Sequence, residues 1–354
     1  MALTDKQIVF VTGASRSGTT LMSFVLRNHS SVFGLREMHY FGDVWDPRDK
    51  DQHYSDDKAV SCIAAMLARQ EQGVLATAPE EEHLREAKDV IARLNSQQLS
   101  AAEIYVAAVN DISAGSGKAI VCEQTPKNIF YAQALLDTYP NAKVVHMARD
   151  PRAIMASQKK RWKRRELSTD NSRFPLRQSL RVWVNYHPYT ISRLWNQATK
   201  TACRLQGHPR FKIVSFESLL TEPEQTIRGL CEFLEIPFEE SMLDVGQVNS
   251  SHQSSVGGAR RGIHKDALET WSQVLSPAEI SITDRKCAQG MASLGYQPVA
   301  QAPVPEIKQQ FSYIFHVLGV LLVNPRRAWV QFKALGSKGR GRSASRAKSD
   351  QVEP

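Results

Sequence analysis

The chain is expected to fold as an α/β protein: a three-layer αβα sandwich around a central parallel sheet of about five strands, with a helical insertion and a C-terminal helical extension. Three observations predict this class. Short apolar runs recur at 8–12, 31–35, 118–122, 143–147 and 211–216, the pattern of strands buried on both faces. Stretches of helical period separate them, and strands alternating with helices make a parallel sheet. The composition is globular, with 354 residues, 42% hydrophobic and 23% charged. Right-handed crossovers then bring every loop that follows a strand to one edge of the sheet.

The first strand opens the stretch that organises the rest. Ile8-Val9-Phe10-Val11-Thr12 turns through Gly13-Ala14-Ser15-Arg16-Ser17-Gly18 and enters a helix over 19–27. The backbone N–H groups of such a turn converge on one point, and the helix N-terminus adds partial positive charge there, which makes an anion cradle. Its spacing, G-x4-G-T-T, is close to the nucleoside-triphosphate loop G-x4-G-K-[ST], so the sandwich is expected to be P-loop-NTPase-like. Thr19 stands where that loop has Lys, and Arg16 lies inside the turn instead. A cradle that keeps its shape and moves its cation suits an anion other than a γ-phosphate.

The second strand runs into Arg36-Glu37-Met38-His39-Tyr40-Phe41. Residues 46–117 turn polar, Ala-rich and helical, with segments at 57–70, 79–94 and 101–113, and are expected to cap the ligand edge of the sheet on the acceptor side. The third strand leads into Glu123-Gln124-Thr125-Pro126-Lys127-Asn128 and a helix ending near Tyr139-Pro140. The fourth ends in Ala148-Arg149-Asp150-Pro151-Arg152, where Asp150 suits an N-cap and Pro151 the first helical position. A basic run at 159–165 reads as a solvated helix face. A long helix is expected over 174–203, then the fifth strand, then an amphipathic helix over 224–234 stopped by Ile236-Pro237. Residues 249–262 are rich in Ser and Gly, include Arg260-Arg261-Gly262, and are expected to be mobile. Ser276-Pro277-Ala278-Glu279 caps a last helix that ends at Gly295-Tyr296. The domain is therefore expected over 1–300, followed by an apolar and basic extension over 301–336 and a disordered basic tail over 337–354.

Charge and cysteine usage narrow the setting. The five cysteines are odd in number, widely spaced and free of C-x-x-C, which argues against a disulfide framework or zinc site and for a reducing compartment. The first strand begins by Gln7 or Ile8, so no signal peptide is expected and the setting is expected to be cytoplasmic. Of the net +9, +6 falls in 324–354, and the remainder is too mild to imply a nucleic-acid partner. Residues 311–323 carry apolar side chains on every side of a helix yet are too few to span a bilayer, which takes ~20. Arg326-Arg327-Ala328-Trp329-Val330-Gln331-Phe332-Lys333 then mixes cations with aromatics. The segment is expected either to meet an anionic membrane surface or to pack on the domain or a second subunit.

Taken together, several stretches resemble the sulfotransferases that use 3′-phosphoadenosine 5′-phosphosulfate (PAPS), over roughly 7–297. Ser15-Arg16-Ser17-Gly18-Thr19-Thr20-Leu21-Met22 looks like that family's 5′-phosphosulfate loop. Val144-Val145-His146-Met147-Ala148-Arg149-Asp150-Pro151-Arg152, with Ser157 eight residues after Arg149, looks like its 3′-phosphate element. The block from Phe211 through Ile236 resembles the family's next strand and helix. The resemblance implies PAPS as co-substrate, no metal, and cofactor contacts from Arg16, Ser17, Gly18, Thr19, Thr20, Arg149, Ser157, Arg260, Arg261 and Gly262.

Glu37-Met38-His39-Tyr40-Phe41 resembles the E-x-H-F-F segment of glycan sulfotransferases, and the 21 residues from Arg16 to Glu37 resemble the separation in protein-tyrosine sulfotransferases. By that resemblance Glu37 takes the proton of an acceptor hydroxyl, a carbohydrate being favoured; His39 either orients Glu37, contacts the acceptor or is a satisfied structural histidine. One position departs from the pattern: Gln124 stands where many relatives have Lys before Thr-Pro. Either Arg16 suffices as the cation or Lys127 takes over. The competing readings are a P-loop kinase of a small metabolite, which shares the cradle but lacks its Lys, and a non-catalytic nucleotide-binding protein docked at a membrane surface.

Overall fold

The computed structural model describes residues 6–48, 52–73, 78–94, 98–160, 183–246, 262–265, 268, 271–299 and 305–323. Five strands, β1 (Gln7–Gly13), β2 (Val32–Gly34), β3 (Ile120–Gln124), β4 (Ala142–Ala148) and β5 (Phe211–Ser215), form one parallel sheet in the order β2-β3-β1-β4-β5. β1 lies at the centre because both of its faces are apolar. Ile8 and Phe10 enter an aromatic-rich core with Phe41, Tyr105 and Tyr139, while Val9 and Val11 enter a second core with Met22, Leu26 and Leu230. Phe10 meets Phe41 edge-on at 5.7 Å and stacks near Tyr105 at 6.1 Å. Each such fully buried side chain stabilises the fold by roughly 1.5–3 kcal/mol.

Helix α1 (Thr19–Arg27) follows the cradle, and the insertion supplies α2 (Asp56–Gln72), α3 (Glu81–Leu94) and α4 (Ala101–Ile112). Alanines 101, 102, 107 and 108 are buried in α4, which lets it lie close to its neighbours. Ser100 and Glu103 cap it reciprocally, satisfying two N–H groups that would otherwise lack partners. After β3 a 3-10 turn (Pro126–Tyr131) leads into α5 (Ala132–Thr138), and after β4 comes α6 (Pro151–Lys160). α7 (Pro188–Leu205) precedes β5, which runs directly into α8 (Phe216–Thr221) and α9 (Pro223–Leu234). α10 (Pro277–Ser293) opens on the predicted capping box of Ser276 and Glu279, and α11 (Ile307–Val323) closes the described chain.

Three expectations need correction. β3 extends to Gln124 rather than stopping at Cys122, because Phe10 and Val11 of β1 pair with Glu123 and Gln124 and carry the ladder two residues further. The helix expected over 174–203 is interrupted: residues 183 and 184 are helical, 185–187 are not, and a new helix starts at Pro188, whose fixed φ suits a first turn while His187 accepts from the Tyr189 N–H as its cap. The helix expected over 311–323 starts earlier, at Ile307, and its Phe311, Ile314, Phe315, Leu318 and Leu322 are exposed. Residues 161–165 of the basic run, Arg260 and Arg261, positions 249–261 of the stretch expected to be mobile over 249–262, and the tail beyond Val323 lie outside the described residues. No described helix is long and apolar enough to cross a membrane.

Candidate active site

The segments that leave the C-terminal ends of β1, β2, β3, β4 and β5 assemble the site at the carboxyl edge of the sheet. The cradle comes first. Gly18, in the left-handed region at φ 94°, begins α1, and a Cβ there would stand 2.2 Å from the Phe216 ring. Only glycine fits both the conformation and the space. Arg16 also has positive φ, 77°, which for a non-glycine residue is a strained backbone held by its surroundings. The Ser17 N–H donates to the Ala14 carbonyl at 3.0 Å and closes the turn. The Ser17 hydroxyl is buried and has no hydrogen-bond partner within the protein.

Cations from two elements meet at this turn. Arg16 Nε donates to Ser157 Oγ of α6 at 3.1 Å, so the two anion elements expected from sequence touch. Arg149, at the end of β4, donates from a terminal nitrogen to the Arg16 carbonyl at 2.9 Å and lies over the Phe216 ring at 4.1 Å. Burial pulls its pKa down to about 10, with Glu217, Asp150 and Tyr296 opposing, so the group stays charged. Glu217 in turn accepts from the Asp150 N–H at 3.0 Å, Ser215 Oγ at 3.1 Å and Tyr296 OH at 2.8 Å. Asp150 accepts from the Arg152 N–H at 2.8 Å, as its capping role requires.

The loop after β2 carries the acid. Glu37 is 31% exposed and accepts two side-chain hydrogen bonds, one on each oxygen. His39 Nε2 lies 2.9 Å from Oε2, and Gln124 Nε2 donates to Oε1 at 3.1 Å. The same Gln124 nitrogen lies 3.0 Å from Thr19 Oγ1 at the start of α1. The residue that replaces the expected lysine therefore ties the Glu37 carboxylate to the cradle. His39 sits at φ 49°, a second non-glycine residue held in the left-handed region. Lys127 pairs with Asp43 at 2.6 Å, which takes its charge to the 42–46 loop rather than to Glu37. Gly262 is described, its N–H donating to the Val245 carbonyl at 2.7 Å.

Sequence reasoning overlooked Glu123. This fully buried carboxylate accepts from Thr125 Oγ1, from Asn128 Nδ2 at 2.7 Å and from the Met38 N–H at 3.3 Å, so it links the Glu37 loop to the turn after β3. Burial pushes its pKa up to about 7. The available signal was an acid inside an apolar strand run, Ile120-Val121-Cys122-Glu123. Arg69 of α2 was overlooked as well. It donates to the Met38 carbonyl at 2.7 Å and holds the same loop from the insertion side. Among the described residues no group of three or more His, Cys, Asp or Glu side chains is placed to hold a metal ion.

Fold and turn together define an α/β protein with a P-loop-like fold, in which Gln124 joins the Glu37 carboxylate to the strand-to-helix turn. The family model described as "Sulfotransferase family" matches residues 8–240, and the chain belongs to that family. It is 23% identical to a protein-tyrosine sulfotransferase of Drosophila melanogaster over 84% of this chain and 53% of the relative. Over 47% of this chain and 44% of the relative it is 30% identical to human carbohydrate sulfotransferase 6. The chain thus spans about half the length of both. Among solved structures, a sulfotransferase domain from the curacin biosynthetic pathway is 19% identical, covering 84% of this chain and 99% of that one, with a TM-score of 0.49.

Proposed function

We propose that this chain transfers the sulfuryl group of PAPS to an acceptor hydroxyl, a carbohydrate being the favoured acceptor, with Glu37 as general base. The observation that carries the reading is Gln124, whose single amide nitrogen reaches both the Glu37 carboxylate and Thr19 of the anion turn. A base and an anion cradle joined through one side chain suit a reaction in which a hydroxyl is deprotonated beside a bound phosphosulfate.

The residues present fit a nucleotide with anions at both ends. The buried, unpartnered Ser17 hydroxyl, the N–H groups opening α1 and the Arg16 guanidinium suit the 5′-phosphosulfate. Arg149 and Ser157 suit the 3′-phosphate. Glu37 receives the acceptor proton as the new oxygen–sulfur bond forms and the bond from sulfur to the phosphate oxygen breaks. The leaving phosphate gains charge, and Arg16 with the turn N–H groups stabilises it. His39 holds the second Glu37 oxygen, which fixes the carboxylate's direction. Lys127, occupied by Asp43, supports Arg16 rather than Lys127 as the cation that stands in for the missing lysine. The E-x-H segment and the carbohydrate relative favour a sugar hydroxyl, while the tyrosine relative keeps a phenol as the competing acceptor.

Thermal shift with 3′-phosphoadenosine 5′-phosphate (PAP), compared with ATP and magnesium, tests the nucleotide. Stabilisation by PAP is expected, and stabilisation by ATP with magnesium alone would return the chain to the kinase reading. Labelled PAPS offered with a sugar panel and with tyrosyl peptides then separates the acceptors. Glu37→Gln tests the base: turnover should fall by about 10²–10⁴-fold with PAP affinity nearly unchanged.

A further inference from the structure

Helix α11 is docked the wrong way round for a protein surrounded only by water. At about 100° per residue, Ile307, Phe311, Ile314, Phe315, Leu318 and Leu322 fall within one arc of roughly 100°, forming a stripe about 22 Å long. All six are exposed, between 52% and 80%. The opposite face holds the helix to the domain. Ser312 Oγ lies 3.1 Å from His187 Nε2, and His316 Nε2 lies 2.9 Å from Thr190 Oγ1. The Tyr313 ring is 4.9 Å from His187, and a Cβ on Gly319 would stand 3.2 Å from Val184. Tyr189 OH donates to Glu306 at 3.0 Å just before the helix begins. Polar and small residues thus face protein, and the apolar arc faces outward. An amphipathic helix bound to its own domain for stability would show the reverse orientation. An exposed apolar surface of this extent marks an interaction site.

We infer that α11 lies in the plane of an anionic lipid surface and seats this protein on it through the Ile307 to Leu322 stripe. The choice of occupant rests on charge. Immediately after the helix, residues 324–354 carry eight Lys and Arg against two acids. A two-fold contact between copies through α11 would bring two such segments, each at +6, toward one another. An anionic bilayer instead attracts every one of those charges while the stripe enters the acyl boundary. α11 carries Lys308, Gln309, Gln310, Ser312 and His316 and is not long and apolar enough to cross the hydrocarbon, so the binding is in-plane.

The test is flotation of the full chain with phosphatidylcholine vesicles, with and without phosphatidylserine, at low and high salt. The expected result is flotation with the serine lipid only, weakened by salt. The variant carrying Phe311→Ser and Phe315→Ser should lose about tenfold or more in partitioning. Both side chains are exposed, so its unfolding midpoint should match the parent. Three results would overturn the inference: no flotation of the parent with anionic vesicles, equal flotation of parent and variant, or a parent that is dimeric without lipid and becomes monomeric in the variant. The last would assign the stripe to a second copy of this chain.

Discussion

At the residue scale, the two charges that matter most are fixed by opposite devices. Arg149 is a cation over an aromatic ring, with its nearby acid Glu217 engaged by three donors. Arg149→Ala is expected to weaken PAP binding by about 1.5–3 kcal/mol, the worth of a charge-assisted contact to a fixed phosphate. Calorimetry with PAP and with 5′-AMP checks the assignment, since a residue that reads the 3′-phosphate leaves the 5′-AMP affinity nearly unchanged. Glu123 is the converse case, an acid whose burial raises its pKa from 4.5 to about 7. Between those values the unfolded chain has already released the proton that the folded chain retains, so stability should fall as pH rises through that window. Glu123→Gln should flatten this slope. The buried, unpartnered Asn128 Oδ1 can turn to accept from the new amide, which keeps the loop in place. Urea midpoints of parent and variant at about pH 5 and about pH 8 measure the difference.

At the element scale, the strand-to-helix turn is specified twice over. Gly18 must have positive φ, and its missing Cβ makes room for Phe216 of α8. Gly18→Ala should therefore abolish PAP binding and lower stability by roughly 1–3 kcal/mol, read by calorimetry and by thermal unfolding. The loop after β2 is held by elements distant in sequence. Glu123 and Gln124 of β3 grip it from one side, and Arg69 of α2 from the other. Arg69→Ala should lower kcat more than the KM for PAPS, because it frees the carbonyl that positions the Glu37 segment while leaving the cradle untouched. Equal loss in both parameters would place Arg69 in the general stability of the insertion instead.

At the scale of the whole molecule, the parallel sheet turns separate loops into one site. With order β2-β3-β1-β4-β5, the residues after all five strands share the carboxyl edge, and Arg16, Glu37, Gln124, Arg149 and Glu217 come within side-chain reach of their partners. The insertion contributes more than a rim. Besides Arg69, its Ala101 carbonyl accepts from Tyr40 OH at 2.8 Å, so α2 and α4 both brace the acid-bearing loop. Tyr40→Phe should accordingly cost about 1 kcal/mol of stability, measured by chemical unfolding, with the aromatic packing retained.

The amino-acid order alone determined the alternation of strands and helices and the strand-to-helix turn, and it marked Arg16, Glu37, Arg149 and Ser157 as candidates, because each depends on local period, turn chemistry or short spacing. Tertiary structure decided what those residues touch. Nothing local reveals that Gln124 bridges Thr19 and Glu37 across 105 and 87 positions, or that Lys127 is taken by Asp43. The two added residues of β3 came from pairing with β1, a property of the sheet rather than of the strand. Glu123 stood out in the sequence only as an acid within an apolar run; its role was not legible, because a buried acid is tolerated only when donors surround it, and those donors, Met38 among them, are assembled by the fold. The apolar content of α11 was plain in its composition. Which arc faces outward depended on His187, Thr190 and Val184 offering a surface that takes the polar and small side, and no helical period can contain that choice.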